Sequence, residues 1–147
     1  MNLQKLPKYL AKYAFREDLI ATPPDHALGM VVVIPAHDEV DLINSVCSLQ
    51  NCDSTSCSVE VIVVFNASEN SANTILKKNN TAKEKLEAWY ASAENSWFSL
   101  YCVTENNLPK KHAGVGLARK IGMDEAVRRF STVNRPDGII VCFDADS

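Results

Sequence analysis

Gly138-Ile139-Ile140-Val141-Cys142-Phe143-Asp144-Ala145-Asp146-Ser147 is the stretch on which the reading of this chain turns. Its apolar run, Ile139 to Phe143, is rich in β-branched residues and predicts a strand buried on both faces, as in a parallel sheet. Two carboxylates one residue apart, Asp144 and Asp146, follow where the run stops. In an open α/β sheet, ligands bind at the carboxyl ends of the strands, so acidic groups here suit a metal-dependent site. Paired hard oxygen donors fit Mg²⁺ or Mn²⁺, which take few protein carboxylates and complete their shell with water and phosphate oxygens. Asp and Ser also serve ordinary strand-to-turn exits, so the argument depends on what the rest of the chain supplies.

Upstream, Val115, Leu117, Ala118, Ile121, Ala126 and Val127 recur at helical spacing and predict a helix over 113–130 with these residues on its inner face. Before it, 98–103 reads as a strand and 104–111 as a polar loop. A helix is expected over 82–93, separated by Asn79-Asn80-Thr81 from another that starts near Ala72. The runs Val59 to Phe65 and Met30 to Ile34 are strands, joined by a helix that starts around Asp38 with acidic residues in its first turn. Strand–helix–strand units of this kind are right-handed crossovers between parallel strands. The result is an α/β chain of Rossmann-like, doubly wound type with a mostly parallel sheet.

Residues 1–20 carry apolar side chains near helical spacing, and Ala21-Thr22-Pro23-Pro24-Asp25-His26 interrupts any helix. The domain division read from this is an N-terminal helix and linker over 1–27 and an α/β domain over 28–147. The 147 residues are enough for one domain with a core. A hydrophobic content of 46% with 22% charge is ordinary for a globular chain, and a net charge of −3 leaves no electrostatic footprint for nucleic acid or anionic membrane. No apolar run approaches the roughly 20 residues of a bilayer span, and no secretion signal is visible, so a cytoplasmic location is expected. Cys47, Cys52, Cys57, Cys102 and Cys142 are read as reduced thiols, because the number is odd and the spacing does not match a zinc knuckle. Trp89, Tyr90 and Trp97 are read as satellite core in preference to a ligand-stacking surface.

The polar clusters 35–39, 66–70, 104–111 and 144–147 all follow strands. In a parallel sheet such exits lie along one edge and converge on one crevice. That crevice would combine carboxylates near a metal, a cationic loop of Lys110, Lys111 and His112, and helix N-termini with free N–H groups, an arrangement suited to a diphosphate.

Four segments in order carry a family resemblance. Val31-Val32-Val33-Ile34-Pro35-Ala36-His37-Asp38-Glu39 with the helix after it, Val61 to Ser68, Gly114 to Gly122 and Phe143 to Ser147 together resemble the opening of a family 2 glycosyltransferase with the GT-A fold. The resemblance runs from about Met30 to Ser147. It implies transfer of a sugar from a nucleoside diphosphate sugar of UDP or GDP type to an acceptor that the residues do not specify. By the same resemblance, Pro35, Ala36 and Glu39 lie beside the nucleoside and Asn66 takes the base-contacting position. Lys111 and Arg119 lie on the phosphate and ribose side, Asp144 contacts ribose, and Asp144 with Asp146 holds Mn²⁺ or Mg²⁺. The family's general base comes after the Asp-x-Asp, so the stretch ending at Ser147 is expected to be the donor-binding part of a longer protein, inactive in transfer by itself. Phe65-Asn66 departs from the aspartate pair or Asp-Asn usual after the second strand, and His37 stands where an aromatic or polar residue is usual.

Two rival readings use the same residues. Val141 to Ser147 also resembles the nucleophile strand of haloacid dehalogenase-type phosphatases, with Asp144 attacking phosphate and Asp146 as acid/base. A non-catalytic nucleotide-binding module is the other.

Overall fold

A computed structural model describes residues 5–39, 41–94 and 96–145. The element order is α1 (Lys5–Tyr13), β1 (Leu28–Ala36), α2 (Leu42–Gln50), β2 (Ser58–Ser68), α3 (Asn73–Ser92), β3 (Ser99–Leu108), α4 (Val115–Thr132) and β4 (Ile139–Cys142). The strands form one four-stranded sheet in the order β3-β2-β1-β4, with every pair parallel. β1 runs out to β2 on one side and β4 lies on its other side, so the topological switch falls between β1 and β4.

The central strands β1 and β2 explain the layers. Alternation along a strand sends successive side chains to opposite faces, and both faces here are apolar. Val32, Ile34, Val61, Val63 and Phe65 pack with Val46 of α2 and Leu86 of α3. Val31, Val33, Ile62 and Val64 pack with Ala118, Ile121, Ala126 and Phe130 of α4. Doubly wound packing follows, with α2 and α3 over one face and α4 over the other. Gly122 allows α4 to sit close: a Cβ there would lie 2.4 Å from Val33 Cγ1.

Several expected boundaries move. β4 is not buried on both faces: it is the four-residue edge strand, with Ile139 54% exposed and Cys142 also exposed, because only β1 pairs with it among the described residues. The expected loop at 104–108 is strand. β3 continues to Leu108 in register with β2, and its buried Glu105 is neutralised by Arg16 at 3.2 Å. β2 likewise runs on through Asn66, Ala67 and Ser68. α3 is one helix of 20 residues with no break at Asn79, whose side chain is buried and hydrogen-bonded. α2 begins at Leu42, not around Asp38, and has no acidic residue in its first turn, since Asp38 adopts φ of 52° and leaves helical geometry. Val115, expected on the inner face of α4, is 55% exposed at the first turn.

The N-terminal segment is fastened to α4 through buried carboxylates. Asp124 accepts from the Tyr9 hydroxyl at 2.7 Å and from the Phe15 amide at 3.3 Å, and also pairs with Lys120. Its acceptor bond to Tyr9, then burial, raise the Tyr9 phenol above its ordinary pKa. Glu125 accepts the Leu19 and Ile20 amides and pairs with Arg128. Three backbone N–H groups of the irregular segment, those of Phe15, Leu19 and Ile20, thus find a carboxylate, which lets a chain without regular structure pack against a helix. Trp89, Tyr90 and Trp97 pack against the α2/α3-side core, and Trp97 Nε1 donates to Gln50 O at 3.1 Å. The five cysteines are free thiols, and burial pushes the Cys102 thiol up to about 12.

Beneath this segment, Arg129 donates to both oxygens of Glu60 on β2, and its Nη1 donates to Thr22 O at 2.9 Å. Both ionic side chains are 3–4% exposed. Removing one member strands the other charge in the core, whereas replacing both with apolar residues removes the problem. Arg129→Met is therefore expected to cost about 3–5 kcal/mol in urea-unfolding stability, and Glu60→Leu/Arg129→Met to recover most of it. Equal destabilisation of single and double variants would contradict this account of the pair.

Candidate ligand site at the carboxyl edge of the sheet

The exits of β1, β2 and β3 and the start of α4 enclose a cavity of about 520 Å³. His37 and Glu39 line it from the β1 exit, Asn66, Ser68, Ser71 and Ile75 from β2 and α3, and Lys110, Ala113, Gly114 and Val115 from the β3–α4 connection. A slightly larger hollow of about 570 Å³ lies between the N-terminal segment and α4, but its charged side chains Arg16 and Arg128 are already paired to Glu105, Asp18 and Glu125. The carboxyl-edge cavity has the composition of a binding site: polar groups from several strand exits beside apolar Ile75 and Val115.

Its walls are held by a buried polar network. The Asn66 main-chain carbonyl accepts from Asn79 Nδ2 at 3.0 Å and contacts His37 Nδ1 at 2.8 Å. Asn79 Oδ1 accepts the Asp38 amide at 3.0 Å. Thus one buried side chain in the middle of α3 fixes both the β1 exit and the end of β2. It also holds Asp38 in the left-handed region, which few non-glycine residues adopt unless their surroundings impose it. Lys78 pairs with Asp38 at 3.1 Å. The Asn66 side-chain Nδ2 donates to Ala36 O at 2.9 Å, tying the two strand ends together.

On the other wall the register of β2 against β3 slips after Asn66, so that Ser68 pairs with Leu108. An irregularity of this kind re-aims a strand end beside a site. Beyond it, the Glu69 amide donates to Leu108 O at 2.8 Å and the Lys110 amide to Glu69 Oε1 at 3.3 Å. Gly114 is the N-cap of α4 at φ 139°, a conformation that any side chain would strain. Among the described residues no side chain caps α4 there, nor α3 at Ala72; in α3 the Ile75 amide turns back to Ala72 O at 3.0 Å, whereas the first-turn N–H groups of α4 are left without a cap.

The site residues expected from sequence distribute unevenly. Glu39 and Asn66 line the cavity, Asn66 with a side chain only 2% exposed. Pro35 and Ala36 end β1, both buried, so Ala36 acts through its carbonyl. Lys111 is exposed and its neighbour Lys110 is the lysine on the cavity wall. Arg119 lies one turn beyond Val115 and its Nη2 donates to Asp144 Oδ1 at 2.7 Å. Asp144 sits just past β4, with its side chain 54% exposed. Asp146, the second expected metal ligand, and Ser147 lie outside the described residues. Ala145 remains described, and its carbonyl accepts the Ser45 hydroxyl of α2, which ties the β4 exit to the helix after β1. The donor at this exit is a carboxylate oxygen, which suits a hard cation, but Arg119 already engages it. Among the described residues no group of three or more His, Cys, Asp or Glu side chains is arranged to hold a metal.

Sequence reasoning missed Asn79, Ser71, Ile75 and Gly114. A polar residue inside a helical pattern was the available signal for Asn79, since a side chain so placed must find partners when buried.

The fold and the cavity define a doubly wound α/β chain with a crevice at its carboxyl edge. No known protein family, curated protein or solved structure matches the chain. No helix among the described residues is long and apolar enough to cross a membrane.

Replacing Asn79 with Leu keeps the volume and deletes both bonds. The expected result is a loss of about 2 kcal/mol in unfolding stability, from the unpaired Asp38 amide and the weakened hold on Asn66. Amide hydrogen exchange should quicken at 37–39 and 66–69 before it does in the core. Unchanged exchange at these residues would show that the network does not hold the walls.

Proposed function

We propose that this chain is the donor-binding part of a glycosyltransferase that uses a nucleoside diphosphate sugar, in line with its resemblance to family 2 enzymes of the GT-A fold. The observation that carries the reading is the meeting, in one cavity, of the β1 exit, the β2 exit and the uncapped start of α4 with Lys110. A diphosphate is bound well by such a set, because free helix N–H groups and a cationic side chain both favour negative charge. The nucleoside would lie toward His37, Glu39 and Asn66, and the phosphates toward Lys110, Arg119 and the α4 N-terminus.

Asp144, with Asp146, would hold Mn²⁺ or Mg²⁺, and such a cation supplies Lewis-acid stabilisation of the departing diphosphate. The chain's own groups act in the same direction. Negative charge grows on the leaving phosphate oxygen as the glycosidic bond breaks, and fixed donors aimed there favour that state over the ground state. Arg119 in this reading orients the Asp144 carboxylate in the ligand-free protein.

The test is calorimetric titration with UDP and GDP, each with Mn²⁺ and with chelator, of the wild-type chain and of Asp144→Asn. Binding of at least one nucleotide is expected, weakened about tenfold or more by chelator and by the substitution, as for loss of a charge-assisted contact. Absence of binding by either nucleotide, or binding indifferent to both changes, would overturn the reading.

A further inference from the structure

We infer that His37 selects the base of the bound nucleotide, by presenting an unprotonated Nε2 to a ring N–H of the uracil or guanine kind. The inference rests on the nucleotide reading of the cavity and names the group that would discriminate within it.

The argument begins with the Asn66 carbonyl. A main-chain oxygen only accepts, so its 2.8 Å contact with His37 Nδ1 requires the proton to be on Nδ1. The same oxygen takes the Asn79 amide at 3.0 Å, so two donors from different elements occupy its lone pairs and hold it in place. A neutral imidazole protonated at Nδ1 carries no proton at Nε2, and the hydrogen bond at one nitrogen sets the role of the other. His37 is exposed and lines the cavity. With Nδ1 turned to the protein, the far edge of the ring carries Nε2 as an acceptor on the ligand side.

The residue expected from sequence to contact the base is not equipped for this. The Asn66 side chain is 2% exposed, and its Nδ2 is engaged by Ala36 O at 2.9 Å. Base reading passes from Asn66 to the imidazole that its own main-chain carbonyl orients.

An acceptor at this place has a definite preference. Uracil N3 and guanine N1 carry a hydrogen and donate, whereas cytosine N3 and adenine N1 are bare acceptors that would meet Nε2 lone pair to lone pair. A site built to accept a ligand N–H rejects the analogue that lacks it more strongly than an apolar pocket rejects a missing methyl group, because its own polar group is left unpaired.

The experiment titrates UDP, GDP, CDP and ADP, with Mn²⁺, into the wild-type chain, His37→Asn and His37→Gln, with thermal unfolding as a check on folding. Asn keeps a donor for the Asn66 carbonyl and has nothing at the place of Nε2, while Gln carries its amide group to about that place. Wild type is expected to bind UDP or GDP about tenfold or more tightly than CDP and ADP. His37→Asn should reduce that gap to about threefold or less, and His37→Gln should restore part of it. A wild type that binds CDP or ADP as tightly as UDP and GDP, or a folded His37→Asn that keeps the wild-type gap, overturns the inference and leaves the nucleotide reading intact. Failure of all four nucleotides to bind wild type overturns the nucleotide reading and the inference with it.

Discussion

The central strand pair is apolar on both faces, and the need to cover both faces governs the rest of the structure. Val31 to Ile34 and Val61 to Phe65 leave no solvated side, so α2 and α3 must take one face and α4 the other. Helices so placed return the chain each time to the amino edge of the sheet, and every strand exit then opens at the opposite, carboxyl edge. The cavity is a consequence of this covering. Its walls are the strand ends, where side chains no longer have helices above them.

Covering an apolar sheet with a helix as polar as α4 has its own requirement. α4 buries Asp124, Glu125 and Arg129 on its flank away from the sheet and beside it, and each charge is met by the N-terminal segment or by Glu60. The segment before β1 is thus more than a linker: it supplies main-chain donors that make these burials tolerable. The same logic recurs at the cavity, where Asn79 accepts the Asp38 amide and gives the Asn66 carbonyl a second donor beside His37.

The parallel sheet was legible because Met30 to Ile34 and Val61 to Phe65 are continuous apolar runs, a pattern that double-sided burial requires. The cluster of polar strand exits was legible for the same reason. What escaped was polar sequence that is nonetheless structured. Thr104 to Leu108 reads as a loop, yet its backbone continues the ladder to β2 and Arg16 neutralises Glu105. Asn79-Asn80-Thr81 reads as a break, yet Asn79 is buried with partners at both amide atoms. In both cases the deciding contact comes from a residue distant in sequence, which local propensity does not register. β4 was misread in the opposite sense: its apolar composition resembles a central strand, while its position is an edge. Glu39 and Asn66, to which the family resemblance and the polar strand exits both pointed, line the cavity, and the lysine that lines it is Lys110 where the resemblance pointed to Lys111, a one-residue distinction set by the conformation of the β3–α4 connection.

The central claim is that the strand exits and the α4 N-terminus form one nucleotide site. The most direct measurement is backbone amide chemical-shift mapping of the chain during titration with UDP or GDP and Mg²⁺. The account predicts saturable shifts confined to 36–39, 66–71, 110–119 and 144–145, with the α4 first-turn amides among the largest. Shifts centred on the hollow between the N-terminal segment and α4, or none at any residue, would contradict it.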